Sequence, residues 1–200
     1  MATPVADAAA ARARLLAHAS VVGALAAVPF PWLPELAQVV VRRRLVDEIA
    51  KRHGVTLGAV ARRELADALA PSERAVTGSE VRRFFAARIA RRLKLLAMLP
   101  ALEAGLATAA GAMLVERAFE RAASAEIAMT ESEARRTRRV VAEALAAFVR
   151  PEAFEEVLRQ TGALEGDQPF AERLAKAVRG VPAEALGVLV ARFDHGWDSL

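Results

Sequence analysis

The chain has 200 residues and no cysteine, which excludes disulfides, thiolate catalysis and cysteine-held metals. It is 54% apolar and 26% charged, with mean hydropathy +0.23 and no tyrosine. Alanine, leucine, arginine and glutamate favour helix, and no alternating strand-type run occurs, so a β fold is excluded. The net charge of +4 is uneven: residues 1–94 hold 16 basic and 8 acidic side chains, residues 95–200 hold 12 and 16.

The length suits one domain, read as all-α: a helical bundle with two proline-bent apolar hairpin or helix segments. Residues 1–11 are expected to be a flexible N-terminus. Residues 12–122 form an apolar helical domain of membrane-associated type, and 123–200 a helical extension packed on it. Arg12 and Arg14 precede an apolar run from Leu15, and Ala24-Leu25-Ala26 resembles a signal cleavage site. His18 and Ser20 dilute that run, and cleavage would leave a mature chain starting in another apolar stretch.

Leu15 to Val41 is long enough to cross a bilayer, but Pro29, Pro31 and Pro34 divide it into two pieces of about a dozen residues. Such pieces suit a buried hairpin or a re-entrant segment. The bend carries Phe30, Trp32 and Leu33. The second piece continues through Arg42-Arg43-Arg44 to Arg52, and His53-Gly54 closes it, with Gly54 as the left-handed terminator. Thr56 is placed to cap a helix from Leu57 to Ala70, which Pro71 ends.

Thr77-Gly78-Ser79-Glu80 reads as a capping box for a helix from Val81 to about Leu99. Val81, Phe84, Phe85, Ile89 and Leu93 share a face, with Arg82, Arg83, Arg88, Arg91, Arg92 and Lys94 around it. Such a helix fits either a membrane interface or the surface of a soluble core. The second apolar run, Leu95 to Val115, contains Pro100 and one charge, Glu103. Gly105-x-x-x-Ala109 and Ala107-x-x-x-Gly111 allow close helix approach in lipid or in protein.

Thr130-x-x-Glu133 is a further capping box, opening a helix to Arg150 with Val140, Val141, Leu145 and Phe148 inside. Pro151, Pro169 and Pro182 each begin a later helix. The last carries Leu186, Val188, Leu189, Val190 and Phe193, and His195-Gly196-Trp197-Asp198 reads as a tail.

No phosphate loop, dinucleotide fingerprint or nucleophile elbow is present. His18, His53 and His195 lie far apart. Asp194-His195 with Asp198 reads as a solvated chain end, and Glu116/Arg117 and Glu120/Arg121 as helix-surface charge. The chain is therefore read as non-enzymatic, with no catalytic, metal-binding or cofactor-binding residues. The arginines of 82–94 could face nucleic acid, but the aromatic residues there share the apolar stripe, so nucleic acid is not the expected partner.

The order of features resembles a known family. A first apolar segment ends at Val28-Pro29-Phe30-Pro31-Trp32-Leu33-Pro34. A helix then closes at Ile49-Ala50-Lys51-Arg52-His53-Gly54-Val55-Thr56-Leu57. Leu95-Leu96-Ala97-Met98-Leu99-Pro100 opens an Ala/Gly-rich segment, and Val115-Glu116-Arg117-Ala118-Phe119 follows. Across residues 12–122 this is similar to the helical domain of unknown function in YcjF-type bacterial inner-membrane proteins, also found fused to Era-like GTPase domains. The chain departs from that family at Glu103, where a Pro-Gly-rich opening is usual, and at His53, where the turn usually carries an aromatic residue. The resemblance implies membrane association and a separately encoded GTPase partner, and no catalytic residues.

Two readings of function result. The first is a membrane-associated accessory protein at the cytoplasmic face of a bacterial inner membrane. Membrane lipid would be its partner, met by Phe30, Trp32, Leu33, Arg82, Arg83, Arg88, Arg91 and Arg92. The second is a soluble, cytoplasmic helical protein-interaction module whose core is the two apolar segments.

Overall fold

The computed structural model describes residues 18, 19, 21, 22, 33–70, 93–148 and 168–199. All the regular structure among them is helical. The six helices are α1 (Leu33–Arg52), α2 (Ala59–Ala68), α3 (Leu93–Ser124), α4 (Glu131–Phe148), α5 (Phe170–Arg179) and α6 (Ala183–Asp198). They form a bundle, as the composition predicts.

Helix α1 begins in the proline-rich stretch. Pro34 is its second residue, where the missing N–H has no intrahelical partner in any case. Its end follows the expected rule closely. Gly54 adopts φ +69°, Val55 N donates to Ala50 O at 2.9 Å and Gly54 N to Lys51 O at 3.2 Å. These are the paired bonds that a left-handed glycine makes at a helix C-terminus. The next helix starts later than expected. Its cap position is Gly58, extended and without a side-chain cap bond, and not Thr56. Leu57 is buried in the connection, and an extended link lets that side chain reach the core before the helix begins.

Pro100 lies inside a helix: α3 runs for 32 residues from Leu93 to Ser124, about 48 Å. Proline inside a helix forfeits one backbone bond and crowds the preceding turn, at roughly 3 kcal/mol. Burial outweighs that cost, since every residue from Ala104 to Ala112 is buried. A helix that is apolar all round requires an apolar surrounding on every side. Here protein supplies it: α3 packs against α1, α2, α4 and α5. The expected start of a helix at Val81 lies outside the described residues, and residues 93–99 belong to α3.

The two glycines of α3 mark its closest approaches. A Cβ on Gly105 would stand 2.9 Å from a methyl of Leu174 and 3.2 Å from the Ala19 carbonyl oxygen. One on Gly111 would stand 3.3 Å from Leu69 Cα, where α3 passes the end of α2. At the same crossing Thr108 Oγ1 donates to Leu69 O at 3.4 Å, so the one buried hydroxyl there has a partner. The small residues of the apolar run thus serve helix packing inside the protein.

Helix α3 ends in the same bond pattern as α1, with Ile127 N donating to Ala122 O at 2.8 Å. The left-handed position is Glu126, φ +54°, where a side chain is strained. Glu126 is exposed. Glu126→Gly is therefore expected to raise unfolding stability by about 1 kcal/mol, read as an increase in the urea midpoint without a change in slope.

Helix α4 starts as expected: Glu133 N donates to Thr130 Oγ1 at 3.4 Å. Val140, Val141 and Leu145 are buried. Helix α5 lies between Pro169 and Gly180, and α6 follows Pro182, as the prolines predict. In α6 Leu189 and Phe193 are buried, whereas Val188 is exposed. One connected core runs from Ala19 through Leu45, Leu114, Phe119 and Val140 to Trp197, and so draws on residues both before and after position 122.

Candidate functional site

Among the described residues, a dense polar constellation lies where α3 meets the final turns of α6. Arg117 and Arg121 are one turn apart on α3, and Asp194 and Asp198 one turn apart on α6. Two i,i+4 pairs on facing helices can interlock, because residues four apart share a helix face. Arg121 Nη1 donates to Asp194 at 2.9 Å and Arg117 Nη2 at 3.2 Å, and Arg121 Nη2 also donates to Asp198. Arg117 keeps a bond to Glu120 on its own helix at 3.3 Å. Burial pushes the Asp194 carboxyl up, but the hydrogen bonds and charges of Arg117 and Arg121 outweigh it and hold the group below the usual carboxylate range.

The last turn of α6 is bound in too, which corrects the expectation of a tail. The helix continues to Asp198, and Trp197 is buried. Its ring meets Phe193 at 5.7 Å, and the Arg136 guanidinium lies 5.2 Å from the ring centre while also donating to the Trp197 carbonyl. Gly196 permits this docking: a Cβ there would come within 3.0 Å of a Val140 methyl. Arg117, Glu120, Arg121, Ser124, Ala125, Trp197 and Asp198 line an open cleft of about 420 Å3.

A second charged cluster ties α2 to α4. Glu64 accepts from Arg138 at 2.8 Å and lies 3.7 Å from Arg135, and Asp67 lies 3.7 Å from Arg138. The Arg138 hydrogen bond lowers the Glu64 pKa against the opposing effect of burial. Elsewhere Arg62 donates to Asp47 at 2.6 Å and Arg52 to Glu116 at 2.6 Å. Arg42 is a buried cation bonded to Gln38 at 2.8 Å, and burial lowers its pKa against the pull of Asp67.

Chemically, the cleft is a clasp. Its cations and anions neutralise one another, and its hydroxyl, Ser124, is bonded to the Glu120 carbonyl at 2.9 Å. Among the described residues no group of three or more His, Asp or Glu side chains could hold a metal ion. The clasp's contribution should depend on pH with a definite sign. A carboxyl whose folded pKa lies below its unfolded value, about 4, stabilises above that value and loses the contribution as pH falls through the folded pKa. Thermal midpoints should therefore fall from about pH 4 downward, and Asp194→Asn should flatten that fall while costing about 1–2 kcal/mol at neutral pH.

Sequence reasoning missed this clasp. Arg117, Arg121 and Asp198 read singly as surface charge or chain end. The available signal was the shared four-residue spacing of two arginines and two aspartates, which gains meaning only once the two helices are known to face each other. Of the residues expected to contact membrane or partner, Leu33 is the first residue of α1. Phe30, Trp32, Arg82, Arg83, Arg88, Arg91 and Arg92 lie outside the described residues.

No protein-family profile, no curated protein and no solved structure matches the chain.

Proposed function

We propose that the protein is a non-enzymatic helical docking module: a bundle built around its own apolar segment that works by presenting outer faces to a partner. The observation that supports this is the unbroken burial of Ala104 to Ala112 in α3, enclosed by α1, α2, α4 and α5. The apolar surface of that run is used in the core. Among the described residues no helix is long and apolar enough to cross a membrane. The mutual neutralisation of the clasp charges supports a structural rather than a catalytic use of the cleft.

The reading of a membrane-inserted accessory protein, with lipid and a GTPase as partners, would rest instead on Phe30, Trp32 and the arginines of 82–92. Fractionation separates the two. Expressed without detergent and spun at high speed in high salt, the protein should remain in the supernatant, folded by circular dichroism. A requirement for detergent would overturn the docking-module reading in favour of insertion through the apolar segments.

A further inference from the structure

We infer that the outer face of α1, carrying Val40, Arg43, Arg44 and Lys51, docks on an anionic phospholipid surface. The inference rests on the docking-module reading and names its partner. Positions 40, 43, 44, 47 and 51 follow helical spacing and form one stripe, about 17 Å long. Four of them are exposed, and Val40, at 64%, is the most exposed large apolar residue among those described.

The acids on this side are already engaged. Asp47 takes Arg62 from α2 at 2.6 Å. Glu48 lies 3.6 Å from His18 and 3.8 Å from Arg44. Arg43 and Lys51 make no ion pair among the described residues, whereas Arg44 faces Glu48. The face therefore presents two unpaired cations, Arg43 and Lys51, beside one protruding apolar side chain.

Its shape favours lipid over an acidic protein. The outward side of a single helix is convex, and its cations lie along one line. A fluid anionic surface can conform to such a face, and each long cation reaches its own headgroup. The apolar side of α1, with Leu45, Val46 and Ile49, is committed to the core, so attachment is by charge and not by insertion.

The test is co-sedimentation of the full chain with phosphatidylcholine vesicles, with and without phosphatidylglycerol. Binding is expected only to the phosphatidylglycerol vesicles and should be lost as salt screens the charges. Replacing Arg43→Gln and Lys51→Gln together should weaken binding roughly 25-fold, at about fivefold per cation near an anionic surface. The control pair is Arg139→Gln with Arg192→Gln, two exposed cations on α4 and α6 with no ion pair among the described residues and the same change in net charge. It should stay within about twofold of the parent.

Equal weakening by both pairs would reduce the effect to net charge and overturn the inference. Unchanged binding by the α1 pair would also overturn it, assigning attachment to the arginines of 82–92. So would a folded protein that ignores phosphatidylglycerol vesicles but binds polyglutamate through Arg43 and Lys51, which would give the face to an acidic protein. A protein that is soluble without detergent yet fails on vesicles sinks this inference alone; one that needs detergent sinks the docking-module reading.

Discussion

Phe119→Ala is expected to lower the unfolding free energy by about 3–5 kcal/mol, read from urea denaturation of the parent and the variant. Phe119 is buried in α3 and is among the largest side chains with essentially no exposed surface. Its ring lies nearly parallel to His53, 11° apart with centres 5.6 Å apart, so it joins the terminator of α1 to the central helix. Truncation removes the ring's burial and leaves a cavity that α3, fixed on four sides, cannot close. His53→Ala should cost far less, about 1 kcal/mol, because it removes only one side of the stack from a half-buried turn. A loss for Phe119→Ala no larger than that for His53→Ala would mean that the core at this level is not the one described.

Trp197→Ala is expected to cost a similar 3–5 kcal/mol, although the residue stands three positions from the chain's last residue. The indole packs on Phe193, lies beneath Arg136 and closes one wall of the charged cleft. Trp197→Phe keeps an aromatic body at that place and should cost about 1–2 kcal/mol. A solvated tail would give changes within about 0.5 kcal/mol for both. The order alanine well below phenylalanine, and phenylalanine below parent, checks the docking of the last turn.

Much of the local structure was legible in the residues. Gly54 ends a helix because only a left-handed residue can bring the next N–H groups back onto the last carbonyls. Thr130 starts one because its hydroxyl can take an orphan N–H. Pro169 and Pro182 precede helices because a fixed φ costs nothing at that position. Pro100 does not end its helix, because the local penalty is set against the burial of more than two turns of α3, a quantity no local rule contains.

The candidate site was less legible. The clasp joins positions 117 and 121 to 194 and 198, and each half is an ordinary i,i+4 surface pattern. Trp197 looked like an end because its own segment does not show what lies over it; Arg136, 61 residues earlier, does, and Val140 of the same helix packs beside Gly196.

By itself, then, the order of residues determined that the chain is helical, where α1 closes, where α4, α5 and α6 begin, and which run is too apolar to meet water. These are properties of short segments, governed by backbone bonds and periodicity over a few residues. Only the tertiary structure decided what surrounds the run from Ala104 to Ala112, that Gly105 and Gly111 are the points of closest packing, and that Arg117 and Arg121 hold the final helix. Those outcomes depend on which helix faces meet. An apolar helix is equally well served by lipid or by protein until the neighbouring helices are in place.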